Sequence, residues 1–138
     1  MTLEMKERAQ RLLWEAQRLE EEGQIERALS IYARLADLHQ ELAMQRRGAG
    51  EAGKWIDALA AITCAGRAGL LDRARQLADE WQGVAEDEGR TEMVAEIDSL
   101  RRWLQGVDRS PGRPADALTW VLPEAVVLEA YLSELRAA

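Results

Sequence analysis

The fold is decided by two short segments of similar sequence, GQIERA at residues 23–28 and GLLDRA at residues 69–74. Each has a glycine, an aliphatic residue two positions later, an arginine at the fourth position after the glycine, and then an alanine. Glycine allows the chain to reverse tightly, and a small residue early in the next helix lets two helix backbones approach. Each segment therefore predicts a turn between two antiparallel helices.

Apolar residues recur at three- and four-residue spacing on both sides of these turns, which is the pattern of amphipathic helices. The pattern predicts helices at about residues 3–22, 24–46, 53–67 and 71–87, and a fifth that begins at residue 90 or 91. The helix at 53–67 is apolar nearly all round, which indicates a central, buried element. Gly23, Gly69 and Gly89 are placed to end the first, third and fourth helices.

Two stretches rich in glycine or proline, near residues 47–53 and 106–114, are predicted to be loops. Beyond the second loop we expect a short helix near 114–121 and a longer one near 123–136. The sequence thus predicts a single all-α domain of about six helices, packed as antiparallel hairpins in a short solenoid or bundle. The expected helix pairs of this 1–138 domain cover about residues 3–46, 53–87 and 90–136.

The composition limits the possible functions. The chain has 138 residues, 47% of them apolar and 31% charged, which is typical of a globular domain. Its acidic net charge of −7 argues against binding to nucleic acid or to an anionic membrane, because both need positive surface. Cys64 is the only cysteine, so no intramolecular disulfide can form. We expect a cytoplasmic protein, because the chain has a free thiol, starts without a hydrophobic signal core and lacks a long apolar run.

Residues with catalytic potential are few. His39 is the only histidine, with no second histidine or Glu-x-x-His pair to complete a metal site, and Cys64 has no obvious activating base. The glycines at 48–53 match a phosphate-loop pattern, but a helix rather than a strand precedes them. The basic stretch at 101–113 could hold a phosphate or an acidic peptide, or could pair with the carboxylates of 72–98. We expect no enzyme, with no catalytic, cofactor-binding or metal-binding residues.

The first turn and its flanking helices resemble a tetratricopeptide repeat (TPR). Ala16 stands at the small position of the motif's first helix, Ala28 at the small position of its second helix, and Tyr32 at the aromatic position that follows. The chain departs from the motif at Glu15, where a large aliphatic residue is usual, and at Gln40, where the closing proline is usual. The resemblance implies a helical-repeat architecture.

The resemblance covers about residues 9–85, with Gly23 and Gly69 placed 46 residues apart. That period is longer than the ~34 residues of the TPR and nearer to the ~40–47 residues of HEAT-type helix pairs. By analogy, it implies an adaptor, scaffold or chaperone-type module that binds another protein, a peptide or a partner helix in a concave groove. The positions that would line this groove are Leu13, Gln17, Glu20, Ile56, Leu59, Thr63 and Arg67.

An alternative is a homo-oligomerising structural or regulatory subunit of a larger complex, with a homodimer formed by the C-terminal helix or the face of residues 25–42. One of the five tryptophans is also expected at the surface. Trp14 is the best candidate for exposure, since Leu12, Leu13 and Ala16 already define the apolar stripe beside it.

Overall fold

A computed structural model describes the backbone of residues 2–108 and the side chains of residues 4–106. It contains α1 (Thr2–Glu21), α2 (Ile25–Gly48), α3 (Lys54–Arg67), α4 (Leu71–Asp87) and α5 (Thr91–Asp108). Within this part of the chain every regular element is a helix, so the predicted all-α class is confirmed. Five helices are thus described where about six were expected. The helices predicted near 114–121 and 123–136 lie outside the described residues.

The helix boundaries agree with the sequence pattern except at the C-terminal ends of α2 and α5. The predicted ends of α1, α3 and α4 lie within one residue of the observed ones. However, α2 continues to Gly48 and α5 continues to Asp108, so the loop predicted from residue 106 begins no earlier than residue 109. Glycine costs only about 1 kcal/mol inside a helix, so Gly106 alone does not stop a helix that packing stabilises.

Four glycines in the left-handed region end the first four helices. Their φ angles are 78°, 70°, 79° and 67° at Gly23, Gly50, Gly69 and Gly89. After α1, the Gln24 amide donates to the Leu19 carbonyl at 2.8 Å, and the Gly23 amide donates to the Glu20 carbonyl at 3.0 Å. The other three turns repeat these two hydrogen bonds, the pattern of a Schellman cap. The predicted glycine-marked chain reversals are therefore confirmed.

Each helix packs against the next one in sequence, and α3 packs against α5 as well. The backbones of α1 and α3 both contact α2 but do not meet each other, which leaves a cleft between them. Only Ile56, Ala60 and Arg67 of α3 keep partly exposed side chains, and the rest of the helix is buried. The prediction that this helix is central is confirmed.

Two contacts fix α3 among its neighbours. The Trp55 ring packs edge-on against the Trp81 ring of α4, with centroids 5.7 Å apart, and Trp81 Nε1 donates to Gln40 of α2 at 2.8 Å. Near its other end, α3 carries Gly66, against which the Trp103 ring of α5 is packed. Glycine is needed there because a β-carbon would occupy the space that the ring fills.

Candidate functional site

A cleft with a volume of about 260 Å³ opens between α1 and α3, and α2 forms its floor. Its lining mixes apolar and polar side chains: Lys6, Ala9, Gln10, Leu13, His39, Leu42 and Asp57. Pockets for drug-sized ligands usually measure ~300–1,000 Å³, so this cleft is on the small side for such a ligand.

A buried charged cluster forms one wall of the cleft. Asp57 of α3 lies 3.0 Å from His39 Nδ1 and 3.4 Å from Arg46 Nε, both on α2. The Asp57 and Arg46 side chains are only 7% and 5% exposed, so each offsets much of the cost of burying the other charge. With its proton on Nδ1, His39 donates to Asp57 and keeps Nε2 as a hydrogen-bond acceptor. The cluster thus ties α2 to α3 and gives the cleft a fixed polar group.

Nucleophiles on α3 are not activated. Burial raises the pKa of the Cys64 thiol to about 12, against the opposing charge of Arg67, so the thiol keeps its proton at neutral pH. The Thr63 hydroxyl donates to the Leu59 carbonyl of its own helix at 2.8 Å.

A second polar cluster joins the same three helices further along. The Tyr32 hydroxyl of α2 is hydrogen-bonded to Glu20 of α1 and accepts from Arg67 Nη1 of α3 at 3.4 Å. The Arg67 guanidinium also lies 5.6 Å from the centre of the Tyr32 ring. Burial and, to a smaller extent, the Glu20 carboxylate together raise the pKa of Tyr32 to about 12, against the opposing effect of Arg67.

The cleft and the second cluster together define a surface that we call the α1–α3 groove. One end contains His39 and Asp57, and the other contains Glu20, Tyr32 and Arg67. Along α1, the groove residues are spaced by three and four positions, which places them on one side of the helix. Both ends therefore offer polar groups, with apolar side chains between and around them.

The seven residues predicted to line a groove fall into two classes. Five are at least partly exposed, namely Leu13, Gln17, Glu20, Ile56 and Arg67. Leu13 lines the cleft, and Glu20 and Arg67 belong to the second cluster. In contrast, Leu59 is 0% exposed and Thr63 only 8%, so both lie in the core and their predicted place on the groove is wrong. A helix that is apolar nearly all round does not reveal which side faces outward, and neighbours cover most of α3.

The sequence did not reveal the polar partners within the groove. His39 looked isolated because Asp57 lies 18 residues away in the chain, and only the register of α2 against α3 brings the two together. Tyr32 was identified from the repeat motif as a packing residue, without its bonds to Glu20 and Arg67. The only sequence signal for these pairings was that a charged residue, such as Asp57 for His39, occurs on a neighbouring helix.

The exposure expected for Trp14 is confirmed. Its side chain is 60% exposed, more than Leu70 and Met44, the other exposed large hydrophobic residues of the described chain. On α1, Trp14 follows Gln10 by four residues and adjoins Leu13, both of which line the cleft. Residues four apart are neighbours on a helix surface, so Trp14 lies next to Gln10 but is not among the side chains that line the cleft.

Two further properties concern the described residues as a whole. Among the side chains of residues 4–106, no three His, Cys, Asp or Glu groups are close enough to hold a metal ion. Within residues 2–108, each helix is too short or too polar to cross a membrane. Comparison of the chain with known protein families, characterised proteins and solved structures finds no significant match.

Proposed function

We propose that the chain is a protein–protein interaction module of the TPR-like kind, an adaptor, scaffold or chaperone-type binder. The α1–α3 groove receives a peptide or a partner helix. The observation that carries this proposal is the open cleft between two helices that both pack on α2 without meeting each other. A segment laid between α1 and α3 gains contact with both walls and with the floor, as in helix-in-groove recognition.

The distribution of polar groups supports the same function. The cleft combines the partly exposed apolar side chain of Leu13 with the imidazole of His39, which can accept a hydrogen bond when its proton lies on Nδ1. At the other end of the groove, Arg67 keeps a buried Nε–H that has no acceptor among the described residues. Specific interfaces have this composition, with apolar anchoring surface and a small number of directed polar contacts.

We also propose that this module acts in the cytoplasm, binds neither nucleic acid nor membranes, and is not an enzyme. The net charge of −7 supports the exclusion of nucleic acid and of anionic membranes as partners, because both carry negative charge. The protonated, buried thiol of Cys64 and the absence of an activated nucleophile in the described part of α3 support a role in binding.

The test is partner capture with variants that place a charged side chain either in the groove or at a control position away from it. The full chain is immobilised, incubated with extract of its native cell, and the retained proteins are quantified by mass spectrometry. Gln17→Arg places a bulky charge on the exposed side of α1 at the groove, and Leu13→Glu places one in the cleft. Met44→Arg is the matched control, because Met44 is an exposed hydrophobic residue of α2 that does not line the cleft.

A partner should be retained by the unmodified chain and by Met44→Arg, and reduced at least about tenfold by either groove variant, as expected for a contact of hot-spot strength. Gln17 is exposed, so Gln17→Arg tests binding even if Leu13→Glu weakens the fold. Circular dichroism verifies the helix content of each variant. Retention that is the same for Gln17→Arg and for the unmodified chain contradicts binding in the groove.

A further inference from the structure

Three partly exposed side chains lie on one side of α3, which is otherwise buried. They are Ile56, Ala60 and Arg67, spaced by four and seven residues, and we call them the α3 stripe. The Trp103 ring of α5 packs on Gly66, which immediately precedes Arg67, so this ring lies beside one end of the stripe. The stripe is about 16 Å long and mostly apolar, and it ends next to a guanidinium and an indole.

Two buried N–H groups at this end of the stripe have no acceptor. Arg67 Nε and Trp103 Nε1 are both shielded from water, and neither has a hydrogen-bond partner among the described residues. Nearly all buried donors in folded proteins are hydrogen-bonded, because an unpaired one is unfavourable. The end of the stripe therefore needs an acceptor from outside the described residues, and a carboxylate suits a guanidinium best.

The described chain ends close to the same two donors. Asp108, the last residue of α5, follows Trp103 by five residues, which is about 8 Å along the helix axis. Thirty residues follow Asp108, and those at 114–135 include four carboxylate side chains and no lysine or arginine. The segment after α5 thus begins near the donors and carries charge opposite to that of Arg67.

The same segment has an apolar ridge long enough to cover the stripe. Four large residues of this ridge follow the spacing i, i+3, i+4 and i+7 of one helix side: Leu128, Tyr131, Leu132 and Leu135. A helix at 123–136, as the sequence predicts, would be about 20 Å long. The residues between, 109–123, can span up to about 50 Å, so the ridge can reach every part of the stripe.

We propose that residues 123–136 form a helix that lies on the α3 stripe, with its apolar ridge against Ile56 and Ala60 and with a carboxylate of residues 114–135 accepting from Arg67 Nε. A segment of the same chain is present at high effective concentration, which favours it over other occupants when no partner is bound. The inference rests on the proposed function in one respect: the stripe shares Arg67 with the α1–α3 groove, so the docked helix competes with a partner.

Pairs of engineered cysteines test this placement in the full chain. The native Cys64 is first replaced by alanine, so that the introduced thiols are the only ones. Ala60→Cys lies near the middle of the stripe and Leu132→Cys near the middle of the ridge, so the two meet whichever way the helix runs. Ala60→Cys with Ser133→Cys is the matched control, because Ser133 adjoins Leu132 in sequence but falls off the ridge.

Mild oxidation with copper phenanthroline should link the Leu132 pair within one molecule, because a disulfide needs Cα atoms within about 7 Å of each other. The product should keep the 15.5 kDa mass of the chain and form at least about tenfold faster than the Ser133 link. Peptide mass mapping identifies the link, and circular dichroism verifies the helix content of each variant. No link in the Leu132 pair, equal rates for both pairs, or a linked species of twice the mass would overturn the proposal.

A second measurement needs no cysteine. Leu132→Glu should lower the urea midpoint of the chain, and Ser133→Glu should leave it unchanged; equal midpoints would also overturn the docked helix. These results are separable from failure of the proposed function. If no link forms but a Gln17-sensitive partner is retained, the docked helix is removed and the groove remains a partner site. If the link forms but no partner is captured, the docked helix stands and the adaptor function is removed.

Discussion

Alanine substitution at two helical glycines should change stability in opposite directions, because only one of them faces a packed side chain. A β-carbon on Gly66 of α3 would lie 2.5 Å from Cζ3 and 2.8 Å from Cη2 of Trp103, and 2.8 Å from Cδ2 of Leu104. All three distances are too short for carbon atoms that are not bonded. Gly83 of α4 is also helical, but a β-carbon there would meet no atom within 4 Å.

The magnitudes follow from these distances. Overpacking of a well-filled contact costs about 1–3 kcal/mol, and replacing glycine by alanine in a helix returns about 1 kcal/mol. We therefore expect Gly66→Ala to lower the free energy of unfolding by up to about 2 kcal/mol. Gly83→Ala has only the helix-propensity gain and should raise this free energy by about 0.5–1 kcal/mol.

Urea titration followed by circular dichroism at 222 nm, the helix band, measures both changes with the same assay. The midpoint should move to lower urea for Gly66→Ala and to higher urea for Gly83→Ala, with slopes like that of the unmodified chain. If Gly66→Ala stabilised the protein as Gly83→Ala does, the close approach of α5 to α3 at Trp103 would be refuted.

Two further predictions concern the groove clusters. Asp57→Ala should lower the free energy of unfolding by about 3 kcal/mol, because it removes the carboxylate that faces the buried Arg46. Asp72→Ala is the control: it removes an exposed ion pair and should change this free energy little. Equal urea midpoints for these two variants would contradict the structural role of Asp57. The free energy of unfolding should also fall as the pH rises from 10 through about 12. In this range Tyr32 has lost its proton in the unfolded chain, where its pKa is 10.0, but keeps it in the folded protein, where its pKa is about 12. Tyr32→Phe should reduce this loss of stability. The part that remains comes from Cys64, whose pKa is also raised by burial. If the Tyr32→Phe variant had the same pH profile as the unmodified chain, the contribution of Tyr32 would be contradicted.

The helices could be predicted because their determinants are local. The three- and four-residue apolar spacing and a glycine after each apolar run are enough to place a turn at Gly23 or Gly69. The same local logic was wrong at Gly106, where α5 continues because packing outweighs a weak helix breaker. Burial of α3 was also readable, since its sequence is apolar on nearly every side.

The groove could be predicted only in part because it depends on contacts between helices. Leu13, Glu20 and Arg67 were identified by their positions in the repeat motif; Leu13 lines the cleft, and Glu20 and Arg67 lie next to Tyr32. The pairing of His39 with Asp57 needs the register of α2 against α3, which no local pattern encodes.

The most direct test of the account asks which surface of the protein touches another protein in its native cell. A photo-reactive benzoylphenylalanine is introduced at Gln17, on the groove side of α1, and in a separate variant at Met44, an exposed position of α2 away from the cleft. The account predicts a covalent adduct of higher mass after illumination of the Gln17 variant and none for the Met44 variant. Adducts at Met44 alone, or equally at both positions, would contradict the α1–α3 groove as the binding surface.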